Sequence, residues 1–254
     1  MAGIGSPLFI LRYACQKDLM GVLERLGEIG FGGVEFLGMF GHKPKDIRAK
    51  LASCGLAAIG NHVPFNEFTL NTQAVINDHY ELGCRYITIS PPEKDGLPGG
   101  DAYGRTIESF NRIGEAVNAA GMTLLYHNHA EELKSGIDGK SILENILDDT
   151  PGNALSLEPD LGWIQIGGGD PMHYLDKYVN RCPVIHFKDY MPTESGFIFR
   201  PTGYGVVNNA VLYKKSIACK PAWYIMDHDC AYERDIYNDL KMSLDYFKNL
   251  VFID

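Results

Sequence analysis

The chain has 254 residues, 45% of them hydrophobic and 22% charged, and a formal net charge of −9. This acidic balance, with no cluster of lysine or arginine, argues against a nucleic-acid partner, because the phosphate backbone binds basic surfaces. Six cysteines without a CxxC pair, no signal-like N-terminus and no apolar run near the ~20 residues of a membrane span predict a cytoplasmic protein without a membrane partner.

Short apolar runs alternate with amphipathic stretches from one end of the chain to the other. They predict eight strands, at Leu8–Ala14, Gly33–Leu37, Leu56–Asn61, Tyr86–Ser90, Met122–His127, Leu155–Glu158, Val184–Phe187 and Trp223–Met226. The stretches between them predict eight helices, at residues 17–29, 43–53, 71–82, 101–120, 141–148, 170–178, 207–218 and 234–249. Gly55, Gly83 and Gly121 follow three of these helices, where a left-handed residue is favoured.

Eight strand–helix units in a chain of this length predict the α/β class and, within it, a single (β/α)₈ TIM barrel domain over residues 1–254. A doubly wound sheet would carry a glycine-rich phosphate turn after its first strand, and none follows Leu8–Ala14. The run at residues 167–169 lacks the spacing of such a turn, and we interpret it as a flexible loop. No linker or low-complexity segment divides the chain.

Ionisable side chains gather at the ends of the predicted strands. After the fifth strand comes Tyr126–His129, in which His127 and His129 point to the same side because alternate residues of a strand share a face. Similar residues end five other strands: Glu35, His62, Glu158, Asp160, His186, Lys188, Asp227 and Asp229. Because active sites of (β/α)₈ barrels lie at the C-terminal ends of the strands, we expect these side chains to meet.

Such a cluster predicts a site for one divalent metal ion. Burying these groups is unfavourable unless a cation or mutual pairing offsets the loss of hydration, and mixed imidazole and carboxylate ligands suit Mn²⁺, Zn²⁺, Fe²⁺ or Co²⁺ better than Ca²⁺. An ion there could hold two oxygens of a polyol or hydroxy-ketone and stabilise an enediolate. Four residues are the candidate ligands, with the register between Asp227 and Asp229 and the choice between His127 and His129 left open: His127, Asp160, His186 and Asp227.

Two carboxylates keep alternative roles. Glu158 is a second ligand, the catalytic base or an ion-pair partner of Lys188. Glu35 either enters the site or pairs with Lys43 or Arg12. The sequence alone does not decide between these roles.

Substrate contacts are expected from side chains around the strand ends. Lys188 would bind a substrate oxygen or phosphate, and Trp163 and Phe65 would either stack on a sugar face or pack in loops. Arg200 precedes a glycine-containing stretch and would lie on a loop over the pocket. Three histidines in helical or loop contexts are interpreted as structural: His42, His79 and His173.

The chain resembles the xylose isomerase-like (β/α)₈ superfamily, in its sugar phosphate isomerase/epimerase group. The likeness is strongest to members with Tyr-His-Asn-His on strand five, here Tyr126–His129. Glu158–Trp163, followed by Gly168–Pro171, matches an acidic-x-Asp-x-x-Trp stretch that leads to Gly-Gly-x-Asp-Pro, and His186–Asp189 matches His-x-Lys-Asp on strand seven. Shorter likenesses extend the resemblance over nearly the whole chain, at residues 34–41, 61–64 and 83–87.

The resemblance implies a divalent ion such as Mn²⁺, Mg²⁺ or Zn²⁺ bound by His127, Asp160, His186 and Asp227. It also implies ketose isomerisation or epimerisation through an enediolate, and is consistent with a homo-oligomer. Two departures are present. The better-known epimerases bind metal through glutamates on strands five and eight, where this chain has His127 and Asp227, and Trp163 stands where many relatives have a substrate-binding histidine.

These features predict a metal-dependent isomerase or epimerase of a small sugar or keto-sugar, with Glu158 or His129 as the base and Asp227 as a second catalytic group. The alternative is a dehydratase or lyase on a keto-sugar or keto-inositol, in which the enediolate expels a β-oxygen with the help of a histidine or Lys188. An abasic-site endonuclease and a non-catalytic sugar-binding barrel are two further possibilities, the first opposed by the charge. Substrate contacts are assigned to Glu35, His62, Trp163, Lys188, Arg200 and Asp229.

Overall fold

The computed structural model describes residues 2–230, 232 and 234–252. The strands of this part of the chain are β1 (Gly3–Pro7), β2 (Gly33–Phe36), β3 (Ala57–Val63), β4 (Tyr86–Ile89), β5 (Thr123–His127), β6 (Ser156–Glu158), β7 (Val184–Phe187), β8 (Asp189–Thr193), β9 (Gly196–Arg200) and β10 (Trp223–Met226). The α-helices are α1 (Arg12–Ile29), α2 (Pro44–Ser53), α3 (Phe65–Leu70), α4 (Thr72–Leu82), α5 (Tyr103–Ala119), α6 (Ile142–Asp148), α7 (Leu161–Ile166), α8 (Pro171–Lys177), α9 (Asn209–Ser216) and α10 (Ile236–Phe252).

Eight strands form one parallel sheet in the order β6-β5-β4-β3-β2-β1-β10-β7. Its two outer strands meet at a junction that we call the β6–β7 seam. There Asp160 and His186 form a parallel bridge, the His186 amide donates to the Pro159 carbonyl at 2.9 Å, and the Leu157 amide donates to the Arg181 carbonyl at 2.7 Å. The sheet is therefore a nearly closed barrel surrounded by helices, and the predicted TIM barrel is confirmed.

The first strand is not where the sequence predicted it. The predicted strand Leu8–Ala14 forms a turn and the beginning of α1, whereas β1 lies earlier in the chain. Leu8, Ile10 and Leu11 are buried, so their apolar character reflects core packing around the start of α1. The other seven predicted strands and all eight predicted helices have counterparts close to the predicted positions.

β1 was not predicted from the sequence because it contains two glycines, and glycine is depleted in strands. Both glycines of β1 are required by close packing. A side chain at Gly3 would collide with the Trp223 ring, and one at Gly5 would collide with Ile59 and Ile225. The same glycines that made a strand look improbable are therefore required for β1 to pack against its neighbours in the barrel.

An antiparallel hairpin of β8 and β9 follows β7, and the sequence did not predict it. Arg200 lies in this hairpin, paired with Asp189, and not on a loop over the pocket as expected. Phe197 and Phe199 alternate with the other residues of β9 and share a side, where their ring centroids lie 5.9 and 5.4 Å from that of Trp163. The hairpin was missed because it lies outside the repeating strand–helix pattern.

A small apolar cluster sits beneath the C-terminal ends of the strands. Its buried members come from four barrel strands: Ile59, Leu125, Val184 and Ile225. Three of them stand two residues before His127, His186 or Asp227 and therefore share a strand face with these polar residues. The polar groups are thus held on a packed apolar layer. Among the described residues, no helix is both long and apolar enough to cross a membrane.

Candidate active site

Four predicted ligands meet at the C-terminal ends of the barrel strands. His127 ends β5, Asp160 follows β6 and caps α7, His186 lies in β7, and Asp227 follows β10. One nitrogen or carboxylate oxygen of each lies within 4.8 Å of those of the other three, and all four side chains are buried. We call these residues the metal group, for the chemistry that their donor atoms suit.

A second set of side chains adjoins the metal group around Glu158. The Glu158 Oε2 atom lies 3.5 Å from His127 Nδ1 and 3.6 Å from His62 Nε2, and it accepts a hydrogen bond from the Thr88 hydroxyl at 3.0 Å. Glu158 is fully buried and has no ion pair to Lys188 among the described contacts. The alternative of a Glu158–Lys188 pair is therefore wrong, and Glu158 contacts the histidines instead.

Glu35 also points into the site. Its Oε2 atom lies 3.1 Å from His62 Nε2 and 3.2 Å from His186 Nε2, so the alternative partners considered from sequence, Lys43 and Arg12, are not the ones it contacts. Burial tends to raise the pKa of Glu35, but the charges on His186 and His62 outweigh burial and hold this pKa well below its ordinary value.

Lys188 lies under the site with its ammonium between three carboxylates. Its Nζ atom is 3.0 Å from Asp160 Oδ2, 2.9 Å from Asp227 Oδ2 and 2.7 Å from Asp229 Oδ1, and the side chain is only 1% exposed. Burial favours the neutral amine, but these carboxylates raise the pKa of Lys188 above its ordinary value. Lys188 therefore remains charged and neutralises part of the acidic cluster.

The pKa values of two metal-group carboxylates move in opposite directions. Burial raises the pKa of Asp160 to about 7, although Lys188 opposes this rise. Burial would also raise the pKa of Asp227, but Lys188 and His186 hold it well below its ordinary value. The pKa of His127 is well below the ordinary value because of burial and the nearby His186. A neutral imidazole is the form that binds metal.

The donor set fits a divalent ion. Five buried atoms of the site have no well-formed hydrogen bond within the described part of the chain: Glu35 Oε1, His127 Nδ1, Glu158 Oε1, Asp160 Oδ2 and His186 Nε2. Asp160 Oδ2 and His186 Nε2 do lie close to charged groups, Lys188 Nζ and Glu35 Oε2, but Glu35 Oε1 has no such contact among the described residues. Buried polar atoms are normally hydrogen-bonded, so acceptors and imidazole nitrogens without hydrogen bonds suit a bound cation. Two imidazoles with two carboxylates match the ligands of Mn²⁺, Zn²⁺ or Co²⁺.

A cleft of about 1030 Å³ opens above these groups. Most of the predicted site residues line it: Glu35, His62, His127, His129, Trp163, His186, Asp227 and Asp229. Two of the catalytic candidates differ in exposure: His129 is exposed at the mouth of the cleft, whereas Glu158 is fully buried. The His129 ring centroid lies 5.0 Å from that of His127 and 5.7 Å from that of Trp163.

Some predicted contacts are not part of the cleft. Arg200 and Lys188 are not among its lining residues, the first because it lies in β9 and the second because it is buried below the surface. Phe65 begins α3 and packs edge-on against Phe110 at 5.6 Å, so it has a packing role, but in a helix and not in a loop. His173 is a surface residue 3.2 Å from a helix carboxylate, whereas His42 does line the cleft.

Sequence reasoning missed three polar residues that hold the site. Thr88 donates to Glu158, Asn128 Oδ1 accepts from the Asp160 amide at 3.1 Å, and Asn61 Oδ1 accepts from the Gly38 amide at 2.6 Å. A signal existed for Thr88, since it is the one aliphatic hydroxyl residue in β4, between two isoleucines. Asn128 was visible only as part of the Tyr126–His129 motif.

The sequence also matches a protein family that has this fold. A model of the family described as the xylose isomerase-like TIM barrel matches residues 23–215. The chain belongs to this family. The match covers the strands from β2 to β9 and so includes His62, His127, Glu158, Asp160 and His186.

Individual relatives carry different names. The chain is 26% identical over 152 residues to an inosose dehydratase of Geobacillus thermodenitrificans, a match that spans 55% of this chain and 50% of that protein. A sugar phosphate isomerase/epimerase of Parabacteroides distasonis superposes with a TM-score of 0.84 at 21% identity, over 100% of this chain and 96% of that one. A probable 3-DHS dehydratase of Bacillus anthracis superposes with a TM-score of 0.75 at 12% identity, over 98% and 99%.

Proposed function

We propose that the protein is a metal-dependent dehydratase or lyase that removes a proton next to the carbonyl of a keto-sugar or keto-inositol and then expels a β-oxygen. The observation that carries this proposal is the state of Asp227. Its Oδ2 atom is 3.0 Å from His186 Nδ1 and 2.9 Å from Lys188 Nζ, and its Oδ1 atom accepts from the His228 amide at 2.6 Å. Both oxygens are engaged.

This state of Asp227 favours elimination over exchange of protons between two carboxylates. A two-base epimerase needs a second group free to receive and return a proton. Elimination needs one base and one acid. The names of the Geobacillus and Bacillus anthracis relatives also support dehydration.

We assign these two roles to two histidines that line the cleft, His129 and His62. His129 reaches the cleft beside the metal group, so we assign it the removal of the C–H proton, whereas Glu158 lies behind the histidines. His62 has a ring that is 26% exposed, with Glu35 behind it at 3.1 Å, and we assign it the proton that the departing oxygen needs. The electron pair of the C–H bond becomes the new C=C bond, the β C–O bond breaks, and water leaves.

The metal group supplies the remaining chemistry. When bound there, a divalent ion such as Mn²⁺, Zn²⁺, Mg²⁺ or Co²⁺ provides Lewis acidity that stabilises negative charge on the enediolate oxygens. Glu158 and Lys188 act from below by orienting the histidines and neutralising the carboxylates. Expulsion of water from the buried floor strengthens each of these contacts.

A second candidate, isomerisation or epimerisation, shares the first step. It is supported by the fold of the Parabacteroides distasonis protein and by the fact that both His62 and His129 line the cleft, since one could return a proton that the other removes. The two reactions differ in whether water is lost. Cytoplasmic location and a homo-oligomeric state stay predictions.

The first experiment is elemental analysis of the purified protein together with a keto-inositol or keto-hexose assay in D₂O. We expect about one transition metal per chain, and an α,β-unsaturated ketone detected by its ultraviolet absorbance. Deuterium incorporation without loss of water would select the isomerase. No metal after incubation with Mn²⁺ or Zn²⁺, and no exchange, would contradict both. The matched control is Asp160→Asn with His186→Gln, which should bind no metal.

A further inference from the structure

We propose that the substrate is an uncharged sugar derivative with an apolar substituent, and not a sugar phosphate. This inference rests on the proposed function, which places the reacting polyol at the metal group. It concerns the part of the cleft beyond that group, which we call the outer lobe. The outer lobe is lined by apolar side chains on the segments around β1, β2 and β3: Phe9, Leu37, Met39, Val63 and Pro64.

The cleft lacks the Lys and Arg side chains that usually hold a phosphate. Among the described residues that line it, none is lysine or arginine, and five are carboxylates: Glu35, Glu67, Asp78, Asp227 and Asp229. Of its histidines, His62, His127 and His186 already face buried carboxylates, and His79 contacts the Asn61 amide group. Proteins bind phosphate through Arg or Lys side chains or through free backbone N–H groups. Beyond the metal group, the carboxylates of the cleft are the exposed Glu67 and Asp78, which offer a phosphate dianion repulsion and no ion pair.

Lys188 and Arg12, two cations next to the cleft, are engaged elsewhere, and the exposed Lys43 is not among the lining residues. Lys188 lies under the floor and is surrounded by carboxylates. Arg12 is half-buried, stacks on the Phe9 ring at 4.3 Å and donates to the Phe9 carbonyl at 2.8 Å. Both are held by partners of their own.

The helix that begins at the outer lobe also offers little to an anion. α2 reaches the cleft with Pro44, which has no N–H group, and its first turn carries Asp46. The Asp46 amide already donates to the Lys43 carbonyl at 3.0 Å. A helix N-terminus attracts anions through free N–H groups, and this one lacks an N–H at Pro44 and adds the negative charge of Asp46.

The size and surface of the outer lobe indicate an apolar substituent. Pockets for drug-sized ligands measure roughly 300–1,000 Å³, and this cleft, at about 1030 Å³, lies at the upper end of that range. One polyol ring at the metal group would leave the outer lobe unfilled. Phe9 is 42% exposed, and Leu37 and Met39 are half-buried, so a substituent placed there removes apolar surface from water.

The outer lobe is preformed, as a specific subsite requires. The Gly38 amide donates to Asn61 Oδ1 at 2.6 Å, the Asn61 amide group contacts His79 Nε2 at 2.9 Å, and His79 Nδ1 lies 2.6 Å from the Val75 carbonyl. Gly38 has φ of 91°, which suits glycine. This chain of contacts ties the loop after β2 to β3 and α4, so little ordering is needed on binding.

The test compares three probes by titration calorimetry on metal-loaded protein: glucose, glucose 6-phosphate and phenyl β-glucoside. We expect the phenyl group to lower Kd at least tenfold relative to glucose, and the phosphate to raise it. Leu37→Asn should abolish the gain from the phenyl group, so that phenyl β-glucoside and glucose bind with similar Kd values. Leu70→Asn is the matched control, because Leu70 is 81% exposed and does not line the cleft.

A charge reversal tests the other half of the inference. Glu67→Lys should strengthen binding of glucose 6-phosphate several-fold, whereas Glu81→Lys, at an exposed position outside the cleft, should not. Glucose 6-phosphate that binds as tightly as glucose, or a phenyl group that brings no gain, would overturn the inference. These ratios are independent of turnover, so the inference fails by them alone, and the proposed function fails by the absence of metal and of proton exchange.

Discussion

Thr88 contributes a single hydroxyl to the contacts behind the proposed catalytic histidines. It is fully buried in β4 and donates to Glu158, which in turn contacts His62 and His127. We expect Thr88→Val, which keeps the shape of the side chain, to lower kcat about tenfold and to destabilise the protein by about 1–3 kcal/mol, because a buried carboxylate loses its donor. Steady-state kinetics and urea unfolding would measure both effects.

The control for this variant is Thr88→Ser, which keeps the hydroxyl and removes one methyl group. It should retain most of the activity. If Thr88→Val were as active as the natural protein, Thr88 would have no part in positioning Glu158.

Lys188 is expected to matter more for stability than for substrate contact. Lys188→Met would leave Asp160, Asp227 and Asp229 without their shared cation, and removing one partner of a buried ion pair costs about 3–5 kcal/mol. Urea denaturation would measure the loss. Adding Asp160→Asn to Lys188→Met should recover part of it, and a further loss in that double variant would contradict this account.

At this scale the sequence revealed the residues that end strands but not the residues that hold them. Alternation along each strand, together with the rule that barrel active sites lie at the strand ends, predicted that His127 and His186 face the same site. The pairing of Thr88 with Glu158 depends on the distance across β4, β5 and β6, which no local pattern contains. Lys188 was recognised, but its burial under the floor follows only from the folded barrel.

At the scale of the elements, the packing of β1 requires glycine at two of its positions, Gly3 and Gly5. Gly5→Ala would place a methyl group against Ile59 and Ile225 in the packed layer below the site, and overpacking of this kind costs about 1–3 kcal/mol. Thermal unfolding would measure the change. Ile59→Val in the Gly5→Ala background removes the clashing Cδ1 atom and should restore part of the stability. No rescue would mean that the cost has another origin.

The start of α6 gives a pH-dependent prediction. Burial tends to raise the pKa of Glu144, but the Ser141 amide and Lys177 lower it from 4.5 to about 2. The folded state therefore binds this proton less tightly, so its contribution is full above pH 4.5 and is lost as pH falls toward 2. We expect Glu144→Gln to cost about 1–2 kcal/mol at neutral pH and progressively less below it.

Urea unfolding of both proteins between pH 7 and pH 3 would measure this difference. Glu131→Gln is the matched control, because Glu131 and its partner Lys134 are both exposed and 3.9 Å apart. An exposed pair of this kind contributes little. A Glu144→Gln difference that did not shrink with falling pH would contradict the assignment.

The elements found from sequence are those whose local pattern repeats. Helices such as α5 show an apolar face at helical spacing, and strands such as β7 are short apolar runs. The segment Leu8–Ala14 misled because the residues at the start of α1 are buried by their neighbours. β1 was missed because it has few apolar side chains of its own, since side chains of neighbouring strands fill the space beside its glycines.

For the molecule as a whole, metal binding should appear as stability. A ligand at 100 times its Kd stabilises the native state by about 2.7 kcal/mol, and for a chain of this size each kcal/mol raises Tm by about 2–4 °C. We expect a rise of roughly 5–10 °C with saturating Mn²⁺ or Zn²⁺, measured by calorimetry after removal of metal with a chelator. An equal rise in the Asp160→Asn, His186→Gln variant would place the ion elsewhere.

The β6–β7 seam gives this stabilisation a location. Asp160 and His186 stand on its two sides, where the backbone joins the outer strands of the sheet by few hydrogen bonds. An ion shared by both would link those edges with coordinate bonds and make the ring continuous. Loading the protein should then slow deuterium exchange at the amides of β6 and β7 and leave β2 and β3, across the ring, unchanged. Slower exchange at the β6–β7 seam would then serve as a measure of metal occupancy.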